Sequence, residues 1–330
     1  MAERPPADLA AARNRQITSI TRQLIEMIQR IWRTMSAATV ADDLEGEAGA
    51  AILAAAVAGQ ITAAQGAQAF VAGAMAEQGA LAIPEAWLVA EAFGGIAPDG
   101  GPLETLLYLP AIGVQRRLAA GLPPDQAMIG GLADMARYAA TSIADAGRSA
   151  DQVGMATQRN CVAYMRVVTL PACSRCIVLS GQTYRYSEGF LRHPNCDCQT
   201  LPLREAEWAA VKTPAELYAS MSETQRRRAF TVAGAEAIDA GADVAQVVNA
   251  RRGMGTAHVH GRSVRVTSEA TTRRGLYGRR LRRAGGEFAR VPGQRYMRST
   301  TPRLMPEEIF RIADGRTEQL RLLKRYGYIV

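Results

Sequence analysis

The stretch at residues 172–202, ACSRCIVLSGQTYRYSEGFLRHPNCDCQTLP, sets the reading of everything around it. Cys173 and Cys176 enclose two residues, the spacing that lets one turn present two thiolates to a single tetrahedral metal. Sixteen residues separate Cys176 from His193, which is followed by Cys196 and Cys198. Pro194 and Asn195 favour a tight turn there, as Ser174 and Arg175 do in the first half. Between the halves, IVLSGQTYRY reads as a turn and a short strand, the small hairpin of a zinc fold. Five donors compete for four positions: Cys173, Cys176, His193 and Cys198 are the favoured set, with Cys196 the competitor for the last places. Zn2+ suits a closed set of sulfur and nitrogen ligands, and four protein ligands leave no position for water, so the expected role is structural. The alternative is a reduced cysteine cluster packed as small hydrophobes, or a redox disulfide.

All five cysteines of the 330-residue chain, these four and Cys161, fall within 38 residues. Disulfide frameworks spread cysteines through small secreted chains, so one tight cluster favours metal. Cys161 stands outside the spacing and reads as a buried helical thiol. The length allows two or three domains with real cores. Hydrophobic content of 48% and charged content of 21% argue against wholesale disorder. Residues 1–8 are polar and Pro-containing, unlike a secretion signal. The apolar stretch 48–58, largely Ala and Gly, is too short and too weakly hydrophobic to span a bilayer. A soluble protein made in the cytosol is expected.

Working outward, residues 7–36 predict one long helix, because Ile17, Ile20, Leu24, Ile28, Ile31 and Met35 recur at spacings of three and four. Arg22, Arg30 and Arg33 lie off that stripe. Residues 37–150 are Ala-rich, with breaks expected near Gly79, Pro84, residues 94–102, Pro110 and Pro123–Pro124. Helices are expected at 62–78, 85–93 and 124–147, in a bundle whose small residues allow close approach. A further helix is expected at 150–168. Beyond the cysteines, 205–212 and 214–222 read as short helices, the second opened by Thr213, Pro214 and Glu216. Residues 225–250 read as helical with interruptions at Gly234 and Gly241. Alternation around Val259, Val264 and Val266 predicts strands, 271–303 reads as loop or extended arm, and 306–326 as two helices around Asp314 and Gly315. The expected fold class is mainly α: a helical N-terminal half (1–150), a small α+β domain with the Cys/His knuckle (151–250) and a basic, partly extended C-terminal arm (251–330).

At this point the residues carry a resemblance. The paired-cysteine turn, the LSG turn and then HPNCDC resemble the phage Mu F-like minor head protein family, also called head-morphogenesis proteins. The likeness is strong over about 40 residues, 163–203, and looser over the helices before them. The segments VTSEATTRRG and PRLMPEEIFRIADGRTEQLRLLKRYGYI also look like pieces of related actinobacterial-phage proteins labelled minor capsid protein or capsid maturation protease. The resemblance implies a few-copy virion head component that joins the procapsid near the portal, made in the host cytoplasm, with portal, major capsid or scaffold protein as partners. The acidic first 150 residues carry no motif of that family.

A protease needs a nucleophile with a base in reach. His258 and His260 lie two apart on an expected strand and so face one side, with Ser263 or Ser268 as candidate nucleophile. No Gly-x-Ser-x-Gly turn is present, and a surface or phosphate-contacting histidine pair is the plainer reading. A His-Asn-His nuclease, prompted by HPN, lacks its acidic–His or His–His doublet.

Charge is uneven: net −5 over 1–150, neutral over 151–250 and +13 over 251–330. Arg273, Arg274, Arg279, Arg280, Arg282, Arg283, Arg290, Arg295 and Arg298 fall within 26 residues, interleaved with Tyr277, Phe288 and Tyr296. Guanidinium groups grip phosphates and aromatic rings stack on unpaired bases, so nonspecific DNA binding, inside or outside a virion, is one reading. Docking on acidic capsid surfaces is another, and a merely solvated arm a third. No recognition-helix signature accompanies the charge.

Overall fold

The computed structural model describes residues 7–80, 83–186, 188–189, 198–204, 211–259, 261–290 and 292–329. The chain is mainly helical and forms two compact units. Residues 1–169 and 181–211 make the first, and residues 170–180 and 212–330 the second.

The first unit is built on α1 (Ala7–Trp32), α2 (Val40–Glu45), α3 (Glu47–Gln65), α4 (Ala67–Glu77), α5 (Leu103–Ala119) and α6 (Pro124–Ala156). The stripe expected on α1 is real. Ile17, Leu24, Ile28 and Trp32 are buried among Ile52 of α3, Leu103, Leu107 and Val114 of α5, and Met135 and Ile143 of α6. The 33-residue α6, about 50 Å long at 1.5 Å per residue, packs against α1, α3, α4 and α5. Small residues set these spacings, as the composition suggests. A Cβ at Gly131 would stand 2.5 Å from Val114 and 2.7 Å from the Trp32 ring, and one at Gly147 2.9 Å from Ile17. The run Glu47–Glu77 is long and apolar enough to cross a membrane by composition, and here it is two helices packed on α1 and α6.

Several expectations fail for physical reasons. Pro110 does not break the chain but sits buried inside α5. The burial of Leu103, Leu107, Ala111 and Val114 on the same helix outweighs the roughly 3 kcal/mol that an interior proline costs. Residues 85–93 form only a 3-10 turn, Ala90–Phe93. The helix expected at 62–78 is the end of α3 and all of α4, and α3 itself begins at Glu47. No separate helix spans 150–168: α6 runs on to Ala156, and β1 (Ala163–Val167) follows. Tyr164 and Val167, aromatic and β-branched, suit a strand buried on both faces, which shows none of the alternation that marks a half-buried strand. Thus Cys161 is buried as expected, but in the connection ahead of β1 and not in a helix. Its burial raises the thiol pKa to about 11.

β1 is the centre of an antiparallel sheet with β2 (Thr183–Arg185) and β3 (Gln199–Leu203) on its flanks. Tyr164 pairs with Tyr184, their rings stacked 5.4 Å apart, and Val167 pairs with Gln199. The TYR strand of the expected hairpin therefore exists, but β1 is its partner. β3 lies against α1 and α4.

The second unit contains α7 (Ser174–Val178), α8 (Pro214–Ala219), α9 (Glu223–Phe230), α10 (Val232–Asp239) and α11 (Val244–Arg252). A sheet of β4 (Met254–Val259), β5 (Arg262–Thr267) and β8 (Arg303–Leu304) follows, then α13 (Pro306–Ile312) and α14 (Gly315–Arg325). The capping box read at Thr213 and Glu216 is present, with both reciprocal hydrogen bonds. The break expected at Gly234 falls at Thr231, whose hydroxyl caps α10. The region 271–303 is not an extended arm: it folds into α12 (Leu276–Arg283) and a hairpin of β6 (Phe288–Ala289) and β7 (Arg298–Ser299). The short helix expected at 205–212 lies mostly outside the described residues.

Both units hold buried arginines, among them Arg13 and Arg303. Arg13 of α1 continues the stripe one turn before Ile17, and its guanidinium donates to Asp151 Oδ1 of α6 (2.9 and 3.1 Å) and to the Ala63 carbonyl of α3 (2.6 Å). Arg303 donates to the carbonyls of Tyr326 (2.8 Å) and Glu269 (3.1 Å) and stacks over Tyr328, 4.2 Å from its centroid. Burial lowers the pKa of Arg303. Side chains of Arg13 and Asp151 are 1% and 0% exposed, so breaking the pair leaves a charge in a dry interior. Arg13→Met is expected to destabilise the chain by about 3–5 kcal/mol in urea denaturation, and Arg13→Met/Asp151→Leu to recover most of that loss. Equal loss in both variants would show that the pair is not what matters.

Candidate polyanion, serine and metal sites

The basic segment is organised by α12. Tyr277 and Gly278 seat it: a Cβ at Gly278 would lie 1.9 Å from the Thr272 carbonyl oxygen, so only glycine permits this approach. Tyr277 is buried beside Tyr326, and its hydroxyl donates to the Pro302 carbonyl at 3.3 Å. Burial pushes its pKa up to about 12. With that edge fixed, Arg279, Arg282 and Arg283 project into solvent.

Seven of the nine arginines singled out from sequence, Arg273, Arg274, Arg279, Arg282, Arg283, Arg290 and Arg295, are exposed. Among the described residues none of the seven pairs with a carboxylate. Arg273 lies over the Phe288 ring and Arg295 over Tyr296, each 5.5 Å from the centroid, and Tyr296 is itself exposed. The other two are structural. Arg280 donates to the Lys324 carbonyl at the end of α14, and Arg298 to the Ser268 carbonyl at 2.6 Å. Arg262 and Arg265 on β5 are also exposed. They were missed because a strand spaces its charges widely and shows no cluster in sequence.

β4 and β5 pair in register, which places His258 directly opposite Ser263. The His258 Nε2 to Ser263 Oγ distance is 3.2 Å. Both residues are exposed, and among the described residues no carboxylate hydrogen-bonds the imidazole. The next pair on the same face, Thr256 and Arg265, brings a cation there. Ser268 is not brought to His258. It follows Thr267, which pairs with Met254, four residues and about 13 Å back along β4. His260 lies outside the described residues.

Of the expected metal ligands, His193 and Cys196 lie outside the described residues as well. Cys173 is the N-cap of α7, and its sulfur accepts from the Cys176 amide at 3.4 Å. Cys176 is buried. Cys198 is buried in the first unit, where Arg166 donates to its sulfur at 3.3 Å and Arg148 to its carbonyl at 2.8 Å. Amide and guanidinium donors to sulfur are the outer partners that a metal-bound thiolate uses, so these donors fit Zn2+ chemically. Among the described residues alone, no group of three or more His, Cys, Asp or Glu is placed to hold an ion. Compared with protein-family models, with curated proteins and with solved structures, the chain matches none.

Proposed function

We propose that this chain is a bacteriophage minor capsid protein acting in head morphogenesis, whose second unit holds a polyanionic surface through its arginines. The observation that carries the contact is the set of seven exposed arginines without carboxylate partners among the described residues. A folded protein that leaves so many guanidinium groups unanswered presents a ready site for phosphates, and the Arg–aromatic pairs at Phe288 and Tyr296 add planes for any unpaired bases. The head assignment rests on the likeness of residues 163–203 to the Mu F-like proteins. Packaged DNA is the favoured polyanion and the inner capsid wall the other. Portal, major capsid or scaffold protein are the expected partners, in the virion head after assembly in the host cytoplasm.

Binding to a fluorescein-labelled 30-base-pair duplex of arbitrary sequence, followed by anisotropy, tests the contact. Each phosphate neutralised contributes about 0.9 to the slope of log affinity against log salt. Arg279→Ala/Arg282→Ala/Arg283→Ala is expected to reduce that slope by about 2–3. Absence of binding at 50 mM salt, with the chain still recruited to empty shells, would assign the arginines to the capsid wall.

A structural Zn2+ belongs to the same reading, held by Cys173, Cys176, His193 and Cys198 or Cys196. It would supply a cross-link and no chemistry. Metal analysis of protein purified without chelator is expected to give about one zinc per chain, and Cys173→Ser/Cys176→Ser to lose it and to melt earlier. Fully titratable thiols with no zinc would remove the metal from the proposal.

The His258–Ser263 pair favours a second reading, a serine-type capsid maturation protease. Co-expression with the phage's capsid and scaffold proteins, followed by intact mass, separates the two. Full-length partners with wild type and with His258→Ala/His260→Ala are expected from the structural reading. Trimming by wild type that the variant abolishes would establish the protease.

A further inference from the structure

The first unit carries a groove that its own core does not fill. A cavity of about 420 Å³ opens between the α2–α3 corner and α5, floored by Ile52, Leu107 and Met135. It continues along α5 into a second cavity of about 450 Å³, the two sharing Leu109 and Ile112. Those two apolar side chains are exposed on the outer face of α5. The charges lining the groove are sorted by end. Glu45 and Glu104 line the first cavity, and Arg116, Arg117 and Asp134 the second, so the excess at each end is opposite in sign. Arg117 is answered by Asp134 at 2.7 Å, while Arg116 is exposed and pairs with no carboxylate among the described residues. Glu104 and Arg116 are 12 residues apart on α5, about 18 Å.

A groove of this length, apolar in its first half and more polar in its second, with a negative end and a net positive end, is complementary to one kind of occupant. Helices carry acidic residues in the first turn and basic ones in the last, as α5 itself does with Glu104, Arg116 and Arg117. A second helix laid on the groove antiparallel to α5 therefore puts its basic end on Glu45 and Glu104 and its acidic end on Arg116. Laid parallel, it would set like charges against each other at both ends. We propose that the groove is the docking site for an amphipathic helix of about three to four turns from a partner protein, bound antiparallel to α5 with leucine-type anchors over Leu109 and Ile112. This surface is independent of the arginines of the second unit, so either proposal can stand without the other.

The probe is a pair of designed, fluorescein-labelled 16-residue helical peptides with identical leucine stripes. One has Glu in its first turn and Lys in its last, and the other has these charges exchanged. Fluorescence anisotropy with the full chain is expected to show the first peptide binding at least fivefold more tightly. Ile112→Glu, a change at a solvent-exposed position, is expected to weaken it more than tenfold. Glu45→Lys/Glu104→Lys, also at exposed sites, is expected to erase or invert the preference between the peptides, with an unchanged thermal midpoint certifying the fold. Equal affinity for the two peptides, or binding indifferent to Ile112→Glu, would overturn the proposal. So would concentration-dependent self-association in sedimentation velocity that Ile112→Glu abolishes, because the occupant would then be a second copy of this chain.

Discussion

A guanidinium taken out of water must have its donors answered, and both units of this protein are arranged around that demand. In the first, Arg13 reaches from α1 past a carbonyl of α3 to a carboxylate of α6, so three helices are tied at one point. The geometry leaves little freedom. Moving α1 by one residue relative to α6 would withdraw the charge from Asp151 while it stayed buried. Hydrophobic packing of Ile17, Leu24 and Ile28 supplies attraction without register, and the ion pair supplies the register. Arg303 does comparable work in the second unit with uncharged acceptors, gathering the carbonyls of Tyr326 and Glu269 around a short edge strand.

What was legible in the sequence and what was not follows from range. Periodicity drew α1, and the Thr213–Glu216 box announced α8, because both signals are contained within one or two turns. Arg13 stands on the α1 stripe at helical spacing from Ile17, yet its partner is 138 residues away and nothing near it betrays the pairing. β1 was misread because a strand buried on both faces has no alternation to show. Pro110 was misread because a local rule was overruled by packing across α5.

The candidate sites divide in the same way. The arginine cluster was visible as composition, but which members face solvent depends on how α12 is rotated by Tyr277 and Gly278. That rotation spends Arg280 on the end of α14 and leaves Arg279, Arg282 and Arg283 outside. The histidine–serine proposal was half legible. Alternation predicted the strands, and only the hairpin register chose Ser263 over Ser268. The charge sorting along the α5 groove was invisible, since Glu45 and Glu104 belong to different helices.

The division of the chain into units has its own consequence for how this protein is made. The chain passes between units three times, at 169/170, 180/181 and 211/212, and the middle excursion carries α7. The helices that α7 packs against, α8 and α11, are synthesised only after the chain has returned to finish the first unit. The cysteine-bearing turn at Cys173 and Cys176 therefore emerges from the ribosome as an orphan, with the Cys176 thiol formed long before its shelter. Neither unit exists as a contiguous piece of polypeptide, so no single cut releases either one whole.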